Sequence, residues 1–134
     1  MRSKYFDELG LSEYPYPYNQ PDYPTANDQE NYPTGNNQKD CFADKRDTYS
    51  LDLTFISWWY EHLCLYRDIN CIDTSYHKFK IDGETLTFGQ CIDRMIEDCK
   101  GLLQQLDESF FVVDNELKDD LFKVLKECFW CLWW

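Results

Sequence analysis

Histidine, glycine and basic charge are all scarce in this chain, and each shortage narrows what it can do. His62 and His77 are the only histidines. Nucleophilic catalysis needs a nucleophile and a base that meet in space, and no local signature pairs either imidazole with one of the cysteines. Five glycines are too few and too scattered for a Gly-rich phosphate loop. Thirteen basic residues face 25 acidic ones, leaving a formal net charge of -12. A field of that sign repels phosphate backbones and anionic membranes, so direct nucleic-acid binding is not expected. It suits a basic protein surface, including one that normally holds nucleic acid. The plainer account is that acidity keeps an aromatic-rich chain in solution. No apolar run approaches the ~18 residues of a membrane span, the longest being Phe129 to Trp134. An apolar signal segment is also missing from the N-terminus, so secretion is not expected. Seven cysteines at irregular spacing then read as reduced thiols in a cytoplasm.

Apolar residues make up 43% of the chain and aromatics 18%, enough for a dense core. They are unevenly placed. All five prolines lie between Pro15 and Pro33, whereas all five tryptophans lie from Trp58 onward. Two regions follow: an extended, Tyr/Pro-rich N-terminal arm over residues 1–45 and a helical core domain over 46–134. Tyr14-Pro15-Tyr16-Pro17-Tyr18 forbids a helix and favours polyproline-like extension. Residues 2–8 fit a single helical turn. Alone the arm would be disordered, and its tyrosines suit contact with the core or with a partner.

Three helices are predicted in the second region. The first covers residues 50–67, with Ser50 as N-cap and Asp52 in the first turn. Phe55, Ile56, Trp59, Leu63 and Tyr66 recur at helical spacing, and Leu51, Trp58 and Leu65 widen the apolar face, as in a helix central to its fold. Residues 76–81 alternate as a half-buried strand does, Asp82-Gly83 is a hairpin turn, and Glu84-Thr85-Leu86 is the return strand. The second helix covers residues 88–106. Thr87 and Gln90 form a capping box, and Phe88, Ile92, Met95, Ile96, Cys99, Leu102, Leu103 and Leu106 make its apolar stripe. Asp93, Arg94, Glu97, Asp98, Lys100 and Gln104 are expected on its wet face. Gly101 weakens that helix by about 1 kcal/mol relative to Ala. A third helix starts at Asp114 or Asn115 and buries Leu117, Leu121, Val124, Leu125, Cys128 and Leu132. The expected fold class is mainly α (α+β): a compact three-helix core with one small β-hairpin.

The remaining chemical signatures are weak. Cys128-x-x-Cys131 has half the spacing of a zinc site but lies inside a predicted helix, and no βαβ pattern supports a redox motif. Cys64, Cys71 and His77 match no standard ligand spacing. Small apolar core cysteines are the expectation, with no metal and no cofactor. Any carboxylate pair among 25 acids could be singled out, so abundance argues nothing for a glycosidase. The chain is not expected to be an enzyme.

Three groups of residues are candidates for partner contact. Asp107, Glu108, Asp114, Glu116, Asp119 and Asp120 flank a short apolar run, from where they could present carboxylates to a basic groove. The alternative is that those near the helix start complement its dipole and stay solvated. Trp133 and Trp134 would fray into water unless buried, either against Trp58-Trp59 or by a partner, since Trp is enriched at binding hot spots. Tyr14, Tyr16 and Tyr18 supply contact area in the arm.

Asp47-Thr48-Tyr49-Ser50-Leu51-Asp52-Leu53-Thr54-Phe55, with Asp93-Arg94-Met95-Ile96 and the ending Leu132-Trp133-Trp134, resembles a pattern found in small bacteriophage proteins. The resemblance covers residues 47–134. It departs from the pattern at the hairpin around Asp82-Gly83, where such proteins are shorter or different. It implies a phage or prophage origin and a place in the cytoplasm of an infected bacterial host. Small acidic phage proteins without catalytic sites often disable host factors, among them CRISPR effectors, restriction enzymes and transcription machinery. The leading expectation is thus a non-enzymatic inhibitor or modulator, an anti-defence or anti-CRISPR protein, whose acidic surface competes with nucleic acid for a host protein. The second expectation is a self-associating structural or accessory protein.

Overall fold

The chain is described by a computed structural model covering residues 3–23, 45–69, 74–108 and 115–132. Within these residues the elements are α1 (Lys4–Asp7), a 3-10 turn (Lys45–Thr48), α2 (Leu51–Ile69), β1 (Lys78–Ile81), β2 (Glu84–Thr87), α3 (Phe88–Glu108), α4 (Asn115–Cys128) and a 3-10 turn (Phe129–Cys131). The fold is mainly helical with one two-stranded antiparallel hairpin.

α3 is the organising element and packs against both α2 and α4. Its start follows from the capping box. Thr87 N–H donates to Gln90 Oε1 at 2.9 Å and Gln90 N–H donates to Thr87 Oγ1 at 3.2 Å. Two amide donors that the helix cannot satisfy are thereby paired. Cys91, Ile92, Met95, Cys99 and Leu103 are almost fully buried on its inner face. The opposing surface of α4 comes from Leu121, Val124 and Cys128, also buried. The two helices approach closely at Gly101, where an added Cβ would lie 2.8 Å from Leu117 Cδ1. Gly101 therefore leaves room for the Leu117 side chain, which would have to move if a Cβ were added.

The hairpin precedes α3 in the expected register, with Lys78 opposite Thr87 and Ile81 opposite Glu84. Asp82 and Gly83 both have positive φ (53° and 81°), as the tight turn between right-twisted strands requires. β1 begins later than the alternation suggests. Tyr76 lies before it, 78% exposed, and has no inward role. Phe88 N–H donates to His77 O at 3.0 Å, which fastens the hairpin's base to the helix start.

Residues 3–23 lie on the core. Tyr5, Phe6, Leu9 and Tyr18 are buried in the same cluster as α2, α3 and α4. The Phe6 ring packs against Tyr18 at 4.6 Å and Tyr60 at 5.8 Å between centroids. Tyr5 Oη donates to Asp68 at 2.7 Å, and Ser57 Oγ donates to Tyr16 O at 2.9 Å. Residues 14–20 do not run on as a polyproline helix. Tyr18 N–H donates to Pro15 O and Gln20 N–H to Pro17 O, so the chain turns twice, and the Tyr16–Pro17 bond is cis. The turns bring Tyr18 back into the core, where burial outweighs the extended preference of the prolines.

Candidate partner-binding surface

Two parts of the molecule stand out chemically: the outward face of α2 and a cluster of charged side chains between α3, α4 and the hairpin turn. The first begins at Ser50, which has a positive φ of 45° and whose carbonyl accepts from Thr54 N–H at 2.9 Å. α2 then runs two residues past its expected end. Thr54, Ser57, Tyr60, Glu61, Leu63 and Cys64 face inward. The other side carries Leu51, 65% exposed, Trp58, 41% exposed, and Ile69, 44% exposed, with Phe55, His62 and Leu65 half-buried between them.

Ring stacking organises this face. Trp58 and His62 stack at 3.9 Å, Trp58 and Trp59 at 6.0 Å, and Phe55 bridges Trp59 to Phe122 of α4 at 5.9 and 5.7 Å. His62 Nδ1 donates to Trp58 O at 2.8 Å, which leaves Nε2 as the acceptor. Burial holds the imidazole below its ordinary pKa, so the ring is neutral at pH 7. Alongside lies an open groove of about 250 Å³ whose walls include Trp58, Trp59, His62, Leu65, Ile69 and Leu132. A contiguous apolar face of this kind is the usual mark of an interaction site on a protein surface.

The charged cluster is different in kind. Arg94 donates through Nε to Asp120 Oδ2 at 2.9 Å and through Nη2 to Asp120 Oδ1, a two-pronged pair. Arg94 Nη2 also lies 3.4 Å from Asp82 Oδ2, and Lys123 Nζ is 3.0 Å from Asp82 Oδ1. The guanidinium beside Asp120 holds that carboxyl well below the usual range. Asp98 sits next to it and is 7% exposed, contrary to the wet-face expectation. Burial first, then the hydrogen bond with Asp120 and that group's charge, push its carboxyl up to about 8. A shift in that direction favours the protonated acid beside Asp120 at neutral pH, and among the described residues Asp98 Oδ2 has no hydrogen-bond partner.

The sequence-predicted contact residues fall in scattered places. Glu116 and Asp119 are exposed on α4, and Asp119 lies 3.4 Å from Lys118. Asp120 is committed to Arg94, and Asp107 accepts from Ser12 N–H at 3.0 Å and Ser12 Oγ at 2.5 Å. Glu108 is the last residue of α3. Tyr18 is a core residue, not a contact surface. Tyr14 Oη donates to Ser3 O at 2.9 Å, and Tyr16 Oη donates to Arg46 O. Asp114, Trp133 and Trp134 lie outside the described residues. The acids therefore form no single described face, because internal pairing claims two of them. The apolar seam on α2 was legible as a surplus of apolar positions, but its outward direction was not.

The thiols show what burial does to cysteine. Cys64 is pushed up to about 11 and Cys128 to about 12 by loss of solvent, and Cys91 and Cys99 also rise. Such groups are protonated at neutral pH and poor nucleophiles. Among the described residues no three His, Cys, Asp or Glu side chains gather as metal ligands would. No helix among them is long and apolar enough to cross a membrane. No family model matches the chain, and no curated protein or solved structure is similar enough to count as a match.

Proposed function

We propose that this chain is a non-enzymatic binding protein, phage-encoded, that attaches to a host nucleic-acid-handling protein and inhibits or redirects it. The observation that carries the reading is the aromatic face of α2, exposed on a chain of net charge -12. An apolar centre provides the desolvation that drives association, and the surrounding negative field steers the chain toward a basic partner. Resemblance of residues 47–134 to small phage proteins supports the origin and the anti-defence role, anti-CRISPR activity included.

The experiment is affinity purification of the tagged chain from nuclease-treated host lysate, followed by mass spectrometry. A stoichiometric nucleic-acid-binding protein in the eluate, whose own nucleic-acid binding the chain then blocks, is the expected result. Recovery of the bait alone, at a mass of two or more copies, would replace this reading with the self-associating one. Charge reversal at Glu116 and Asp119 separates the contributions. Unchanged binding would remove the acidic face of α4 from the contact and leave the apolar face as its source.

A further inference from the structure

One stripe of α3 meets α4. Cys91, Arg94, Asp98 and Gly101 follow one another along it at intervals of three, four and three. Arg94 is held by Asp120 of α4, and Gly101 lies against the Leu117 side chain of the same helix. Asp98 is about one helical turn from each, so it is α4 that covers its buried carboxyl.

Two cations serve this contact, and both are taken. Arg94 pairs with Asp120 and reaches Asp82 in the hairpin turn, and Lys123 of α4 lies 3.0 Å from Asp82. Lys118, earlier on α4, leans on Asp119 instead. On α3 itself, Glu97 adds a further acid beside Asp98, and Cys99 is an uncharged thiol. With a proton on Asp98, the carboxylates of Asp82 and Asp120 face Arg94 and Lys123, and the charges cancel. Without it, three carboxylates face the same two cations, and the surplus charge is buried next to Asp120. Among the described residues Asp98 Oδ2 has no hydrogen-bond partner that could take up that charge.

We propose that Asp98 is a proton-dependent latch for α4: the neutral acid lets α4 close on α3, and the carboxylate drives α4 off while α2 and α3 stay together. Only α4 has to move for the charge to reach water, because α4 supplies the cover. Opening would bare Leu121, Val124 and Cys128 of α4 and Cys91 of α3, all buried in the closed form. The sign follows from the raised folded-state pKa of Asp98. The closed form has its full advantage below the ordinary carboxyl range near 4 and loses it as pH rises toward about 8. Within that window the open fraction grows by up to about tenfold per pH unit, one proton being released on opening. The latch does not depend on the binding function proposed above.

The buried thiols report where the fold opens. Cys128 lies near Cys91 at the contact of α3 and α4, whereas Cys99 lies near Cys64 of α2. The test is a pulse of N-ethylmaleimide on the full chain between about pH 5 and about pH 7.5, read site by site by mass spectrometry and divided by the rate of a cysteine peptide at the same pH. Cys91 and Cys128 should react at least about tenfold faster than Cys64 and Cys99, and their normalised rates should climb by up to about tenfold per pH unit. Asp98→Asn cannot ionise and should flatten that climb. A single common rate for all four thiols would mean that the whole fold opens, and rates without a pH slope would mean that Asp98 does not control the opening. Either result overturns the inference, as does a slope that survives in Asp98→Asn. Hydrogen exchange of the wild type gives a reading that needs no variant. Corrected for base catalysis, the amides of α4 should be at least about tenfold less protected than those of α2 as pH approaches about 7.5, and equal protection of the two helices would overturn the inference as well.

Discussion

α2 carries more apolar and aromatic side chain than α3, and the two helices treat it differently. In α3 the stripe is narrow, and the fold covers nearly all of it, with Cys91, Met95 and Cys99 at 0% exposure. In α2 the apolar residues go round most of the helix; α1, α3 and residues 14–18 cover one side, and Phe122 of α4 and Leu132 reach only part of the other. The difference teaches that, among the described residues, part of the apolar surface of α2 is left outside the core. Leu51, 65% exposed, gains little from this fold, whereas Phe55 is held in it by its stack on Trp59 and Phe122.

Substitutions break or sharpen that contrast. The largest loss is expected at Met95→Ala, about 2–5 kcal/mol from lost transfer energy and the cavity left behind, read by urea denaturation. An effect below about 1 kcal/mol would mean that α3 is not the centre of the core. Next comes Arg94→Gln, which leaves Asp120 and Asp98 without their cation. The cost should be about 2 kcal/mol, less than for a fully buried pair because water reaches part of the cluster.

The same cluster sets a pH dependence. The folded-state pKa of Asp98 is raised, so its contribution is full below its ordinary range near 4 and is lost as pH rises toward about 8. Asp98→Asn keeps a donor to Asp120 but cannot ionise. The variant should therefore gain on the wild type between those values, and melting curves across pH would show the difference growing and then levelling. A constant difference would mean that Asp98 is ionised in the fold. Thr87→Ala should cost about 1 kcal/mol by removing one half of the capping box. Leu51→Ala should change stability by less than about 0.5 kcal/mol, and a larger loss would place the outer face of α2 inside the fold's own energetics.

Much of this architecture is local and could be seen in the sequence. The Thr87–Gln90 box, the Asp82-Gly83 turn and the α3 stripe are specified by residues within a few positions of one another, and each formed as expected. The misses are long-range. Asp98 occupies a polar helical position, but Arg94 and Asp120, brought together from two helices, make its burial tolerable. The sequence leaves open whether the tyrosines of residues 1–45 meet the core or a partner; the pocket that takes Phe6 and Tyr18 beside Tyr60 is created by the tertiary fold. Among the described acids, Asp107 and Asp120 have partners remote in sequence, Ser12 and Arg94, which no local pattern announces. The α2 seam was half legible, since spacing reveals an apolar stripe while only packing reveals which stripe is left over.

The stack of Trp58 on His62 also makes the surface its own optical reporter. A protonated imidazole draws electron density from an excited indole and quenches its emission, whereas the neutral ring does so weakly. Because His62 is held neutral by burial, the emission of Trp58 should fall only on the acid side of histidine's ordinary range. Any helix that closes over the pair would dry it further and move that fall to still lower pH. Occupancy of the face can thus be followed by the light the protein already emits, with no dye attached.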